Sequence, residues 1–180
     1  MLKAITLRQP YAGAMALGLK HNETRGRRCN YRGELAIHSA STPRYKHGDA
    51  MKNLRTVLLA WSKSEGNEEI FLRAMTNGAI LCVVDLYDCI GTDFFFDHDG
   101  LLWTDKTLLV KDSVLRLSKT EHALGDYSSD RFVLLTRNLR VLHQPVLCRG
   151  YQSIPWTVPP EVEATVRKQL LTTLATTRNS

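Results

Sequence analysis

The chain has 180 residues, 43% of them hydrophobic, and a formal net charge of +6. This is enough chain to bury one core, so a single domain spanning 1–180 is expected. No stretch approaches the ~20 consecutive apolar residues of a membrane span, and Met1-Leu2-Lys3-Ala4-Ile5 lacks the apolar core and cleavage site of a secretory signal, so no membrane partner and a cytoplasmic location are expected.

Lys3 to Leu7 reads as a strand that Gln9-Pro10 breaks. Pro10 suits a first helical turn, where its missing N–H is not needed, and the helix can run from Tyr11 to Leu17 with Gly18 as its C-cap. Asn22 to Arg25 and Gly33 to His38 read as short strands on either side of a cationic loop, Gly26-Arg27-Arg28-Cys29-Asn30-Tyr31-Arg32. Beyond Thr42-Pro43, Met51, Leu54, Leu58 and Trp61 recur at helical spacing, and a second helix is expected near Glu68 to Met75. Gly78 to Ile90 carries the strongest strand signal and is expected to be a buried central strand. An acidic, aromatic loop follows around Asp93 to Asp97, and Ser118-Lys119-Thr120-Glu121 matches a capping box. Arg131 to Thr136 and Arg140 to Leu147 read as two more strands, and Pro159-Pro160 introduces a final helix over 161–173 with Val162, Val166 and Leu170 as its docking stripe. Short strands with helices placed early and late predict an α+β fold built on a small mixed barrel.

Charge is unevenly placed along these elements. From Lys20 to Arg55 there are nine Lys or Arg against three acids, whereas from Asp85 to Asp130 there are four against ten. A clustered positive field draws polyanions, so a phosphate-bearing partner is expected on the first third; a solvated basic face is the plain alternative. Gly18 releases the chain so that Lys20, Glu23 and Arg25 emerge close together. Lys20 can bind phosphate or activate a reacting group, Glu23 can accept a base N–H or a proton, and Arg25 can clamp a phosphate with two hydrogen bonds; a structural ion-pair cluster is the alternative.

Tyr11 and Trp156 could stack on bases or simply form core, Arg149 and Gln152 could donate to a phosphate or base edge, and His38 ends an apolar strand, where a structural role is commoner than a basic one. Cys29, Cys82, Cys89 and Cys148 form no C-x-x-C pair, which suggests reduced thiols. Asp93, Asp97, Asp99 and Gly100 do not have calcium-loop spacing, so no metal and no cofactor are expected.

Three segments in order, Gln9-Pro10-Tyr11-Ala12, Gly18-Leu19-Lys20-His21-Asn22-Glu23-Thr24-Arg25 and Arg32-Gly33-Glu34-Leu35-Ala36-Ile37-His38, resemble the ASCH family pattern of a Q-P-aromatic-A turn, G-x-K-x-x-E-x-R and R-G-x-L-x-I-H. Residues 78–89, Gly125-Asp126-Tyr127-Ser128 and Cys148 to Trp156 are similar to its central strand, cleft loop and closing turn, as in bacterial and phage-type members. The resemblance implies a PUA-like barrel with a cleft beside the first helix, carrying insertions near 41–77 and 93–118. It further implies binding of RNA, DNA or a nucleoside, with Gln9, Tyr11, Lys20, Glu23, Arg25, Arg27, Arg28, Arg32, Tyr127, Ser128, Arg149 and Gln152 as candidate contacts.

The leading expectation is a module for RNA or single-stranded nucleic acid. A hydrolase is the alternative, either a nuclease with Lys20 and Glu23 as catalytic groups or an amidohydrolase acting on acylated cytidine. Such relatives use Lys, Thr and Glu, with the Thr three residues after the Lys; here Glu23 holds that place and Thr24 follows. A non-catalytic protein adaptor, docking through the acidic segment, is the third class.

Overall fold

The computed structural model describes residues 1–42, 56, 58–60, 63, 66–98, 101–104, 115–116, 121–122 and 124–178. The main sheet has strands β1 (Lys3–Leu7), β2 (Asn22–Arg25), β3 (Gly33–Ser39), β4 (Ala79–Gly91), β8 (Phe132–Leu147) and β9 (Trp156–Thr157), in the order β2-β8-β4-β3-β1-β9. β1 runs parallel to β3, and the other pairs are antiparallel. The sheet curls into a half-barrel with β2 and β9 as its open edges, which is the expected α+β class.

Helices cover both faces of the central strands. On one face Ile5, Leu7, Leu35, Ile37 and Leu81 pack under Ala12, Met15 and Ala16 of α1 (Tyr11–Ala16). On the other, Ala4, Ala36, Ile80 and Val83 meet Val166 and Leu170 of α3 (Pro160–Arg178). Side chains on a strand alternate between faces, so strands covered twice must be apolar at every position, and this is why Ala79 to Val84 reads as an unbroken run. α3 is also held by ions: Arg167 and Arg140 both donate to Glu34, and Arg140 reaches Asp85 as well. Burial would raise the Glu34 pKa, but the hydrogen bonds from Arg167 and Arg140 outweigh it and hold the carboxyl below its ordinary value.

Two expectations change. The two late strands are one, β8, of 16 residues. Its apparent interruption at Arg137-Asn138-Leu139 is a bulge: Val83 and Asp85 of β4 pair with Arg140 and Arg137, so β8 spends one extra residue there. Asn138 accommodates it at φ 54° and donates to Asp85. The stretch after Asp93, expected as an acidic loop, passes through a 3₁₀ turn (Thr92–Phe94) into a three-stranded sheet of β5 (Phe95–His98), β6 (Leu101–Thr104) and β7 (Leu115–Arg116). Its aromatic and branched residues outweigh its aspartates in setting the backbone.

The helix expected near Glu68 is α2 (Glu68–Ala74), while the final helix extends past its expected end at 173 to Arg178. Of the helix expected after Thr42-Pro43, residues 56 and 58–60 are described and are helical; Pro43, Met51, Leu54 and Trp61 lie outside the described residues, as do Asp99, Gly100 and Ser118 to Thr120. The four cysteines are free thiols. No helix among the described residues is long and apolar enough to cross a membrane.

Candidate functional site

A cleft of about 660 Å³ opens where β1 ends, beside α1. One wall is Thr6, Leu7, Arg8 and Tyr11; the opposite wall is Glu23, Thr24, Arg25, Gly26 and Arg27, with Leu124 to Asp126, Arg131 and the Gln152 to Ile154 turn closing the ends. The chain builds it economically. Gly18, at φ 71°, turns the backbone off α1 without the penalty a side chain would meet. β2 then pairs with Phe132 to Leu135 of β8, which places Glu23 and Arg25 on the same side of the strand, two residues apart.

Lys20 lies beneath this cleft and not on its surface. The residue is 2% exposed. Its ammonium donates to the Leu124 carbonyl at 2.9 Å and stands 3.6 Å from Glu23 and 4.0 Å from Glu121. Glu121 in turn accepts the backbone N–H groups of His21 and Asn22 at 2.6 and 2.9 Å. A buried cation so enclosed is a structural post for the turn that carries Glu23.

Glu23 stands 3.1 Å from the Arg25 guanidinium, whose Nη2 donates to the Thr6 carbonyl. Thr24 accepts the Asp126 N–H through its hydroxyl, tying the loop to β2. Asp126 is 3.3 Å from Arg131. Hydrogen bonds from the Ser128 hydroxyl and backbone N–H, with a smaller contribution from the Arg131 charge, hold the Asp126 carboxyl below its ordinary value against the opposing effect of burial. Tyr11 is half-buried in the wall, and burial, then Glu23 and Asp126, push its phenol up.

Of the expected contacts, the cleft therefore gathers Tyr11, Glu23, Arg25, Arg27 and Gln152 in its walls. Arg28 is exposed on the same loop, and neither Arg27 nor Arg28 has an acidic partner among the described residues. The others are engaged elsewhere. Gln9 spends its amide on backbone, donating to Ala74 and Thr76 carbonyls and accepting the Gly13 N–H, so it fastens α1 to the end of α2. Arg32 donates to the Cys29 and Tyr31 carbonyls and to Asp88, closing its own loop. Tyr127 packs against Ile90, Val133 and Leu135 with its hydroxyl toward Glu121, and burial pushes its phenol up strongly. Ser128 binds Asp126, and Arg149 lies over the Tyr151 ring, outside the cleft.

Two arginines of the cleft escape a reading of the sequence. Arg8 directly precedes Gln9-Pro10 and is marked only by that neighbour, and Arg131 directly precedes the long strand β8 after a turn at Asp130. Neither has a spacing that points to it. Among the described residues no three His, Cys, Asp or Glu side chains gather as a metal ion would require.

No family model and no curated protein matches the chain. Among solved structures the chain is similar to a point mutant of ZmASCH from Zymomonas mobilis, with 9% identity, a TM-score of 0.44, and coverage of 93% of this chain and 96% of that one. A likeness at that level assigns no residue and no activity.

Proposed function

We propose that the chain is an ASCH-type, PUA-like module that binds nucleic acid, RNA or another single-stranded form, through the cleft beside α1. The observation that carries this reading is the cleft's charge. Among the described residues Arg8, Arg25, Arg27 and Arg131 line it, against two acids, Glu23 and Asp126. Guanidinium groups bind phosphate oxygens through paired N–H donors, and although Arg25 and Arg131 already face Glu23 and Asp126, the concavity keeps a surplus of positive charge that favours a polyanion. Tyr11 offers a ring at the same wall for an unstacked base.

Fluorescence anisotropy of labelled single-stranded RNA, single-stranded DNA and duplex over rising salt tests the reading. Binding should weaken linearly on logarithmic axes, with a slope of about 0.7 per phosphate contact on single strands. Absent or salt-indifferent binding overturns it. A hydrolase reading has one observation in its favour: the Glu23 carboxylate stands in the cleft wall between Lys20 and Arg25. Turnover of RNA or of an acylated cytidine by the same preparation, lost in Glu23→Gln, would establish that reading in place of simple binding.

A further inference from the structure

Next to the cleft lies a smaller recess of about 360 Å³ with a different lining: Thr6, Arg8, His38, Ala40, Ser41, Thr42, Gly150 and Gln152. It shares Thr6, Arg8, Ala40 and Gln152 with the cleft, so the two are one continuous depression. The chemistry changes along it. The cleft is walled by charge, whereas among the described residues the recess has hydroxyls, an amide and an imidazole, no carboxylate, and Arg8 at the shared border.

His38 is the unusual member. It is 1% exposed and packs edge-on to Trp156. Its Nε2 lies 3.1 Å from the Cys148 carbonyl, which can only accept, so Nε2 carries the ring proton. Nδ1 is then a bare lone pair, buried against Gly150, with no hydrogen-bond partner among the described residues. Burial lowers the His38 pKa, the Cys148 bond opposing it, and the ring is neutral at ordinary pH. Orphaned buried acceptors are costly, so one held in the wall of a depression points to a donor that arrives from outside.

Thr6 is its cross-strand neighbour in the β1–β3 register. The Thr6 hydroxyl oxygen accepts the Trp156 indole N–H at 3.1 Å, which leaves its own proton to donate. A half-buried hydroxyl donor therefore stands beside an imidazole acceptor. Gly150 makes this close-packed corner possible, because a Cβ there would overlap both the His38 ring and the Thr6 hydroxyl.

We propose that this recess is a base-reading subsite, holding one unpaired nucleobase of a strand whose phosphates lie in the arginine cleft. The inference rests on the reading of the cleft as a nucleic-acid site. Every Watson–Crick edge presents a hydrogen-bond donor next to an acceptor, the complement of the Thr6 hydroxyl and, once the Gly150 turn that covers it gives way, of His38 Nδ1. A base within a duplex has that edge occupied, so the recess selects single strands. Gln152, in both linings, stands where base and phosphate would meet.

The test compares a single-stranded RNA oligomer with an abasic sugar-phosphate oligomer of the same length, by anisotropy on the unaltered protein. The base-bearing strand should bind about tenfold more tightly, the equivalent of one or two good hydrogen bonds. Thr6→Val and His38→Phe should shrink that ratio toward one. Phenylalanine fills the place of the imidazole without offering an acceptor, and circular dichroism checks that each variant is folded. Equal binding of the two oligomers by the parent overturns the recess and leaves the cleft reading standing. Binding of neither overturns the cleft reading and this one with it.

Discussion

The turn at Lys20 and the loop at Arg27 and Arg28 are a few residues apart in a cationic stretch, yet the protein treats them oppositely. Lys20 is enclosed by the Leu124 carbonyl, Glu23 and Glu121, while Arg27 and Arg28 are exposed with no acid beside them among the described residues. A positive charge in a sequence is thus not yet a positive charge available to a ligand. What decides is whether a buried acceptor has already taken it, and the acceptor here, Glu121, is a hundred residues away in the chain.

The strongest way to break this contrast is Lys20→Met. Removing the cation leaves Glu23 and the buried Glu121 without their partner, and stability should fall by about 3–5 kcal/mol. Urea unfolding measures it. If the variant is as stable as the parent but no longer binds polyanions, Lys20 is a ligand contact after all.

The double variant Arg27→Ala/Arg28→Ala should behave in the opposite way. Its unfolding midpoint should stay within about 0.5 kcal/mol of the parent, since both side chains are exposed. Its salt slope should flatten by roughly one unit for each lost phosphate contact. Unchanged oligonucleotide binding would mean that the loop is only a solvated surface.

Arg32→Ala sharpens the comparison within one loop. Arg32 is committed to the Cys29 and Tyr31 carbonyls and to Asp88, so its loss should cost up to about 1 kcal/mol of stability with the salt slope unaltered. A flattened slope would place it among the ligand contacts.

The smallest effect concerns Asp126. Its carboxyl titrates below its unfolded value, so the stability it contributes is complete above the ordinary carboxylate range and is lost as pH falls through the folded value. Protonation also removes the negative partner of Arg131, so polyanion affinity should rise modestly over the same pH interval. Asp126→Asn should bind slightly more tightly at neutral pH, by less than about 1 kcal/mol, and show a smaller acid-induced gain. No difference between variant and parent would show that Arg131 does not face the bound strand.

Much of this architecture is legible in the chain itself. β1, β2 and α2 fall where hydrophobic alternation and turn residues put them, because each is a local decision about backbone and burial. β8 was not legible, since the bulge at Asn138 is set by pairing with β4 and mimics a turn when read alone. The site was half legible for the same reason. Residues on one segment, such as Glu23, Arg25 and Arg27, announce themselves together, whereas Arg8, Arg131 and the engagement of Gln9 with Ala74 depend on contacts distant in sequence.

The strand arrangement also dictates when the site can exist during synthesis. β1 emerges first but pairs with β9, and the Thr6 hydroxyl meets the Trp156 indole 150 residues later. Gln152 and Ile154, in the cleft wall, belong to that same late segment. At roughly 5–20 residues per second, the ribosome exposes an incomplete groove for several seconds before the turn that closes it leaves the tunnel. Arginines already displayed on the early segment are then held in an open, unshaped field. Nascent chains should therefore attract any nearby polyanion weakly and without discrimination, and acquire selectivity only when the last strand docks.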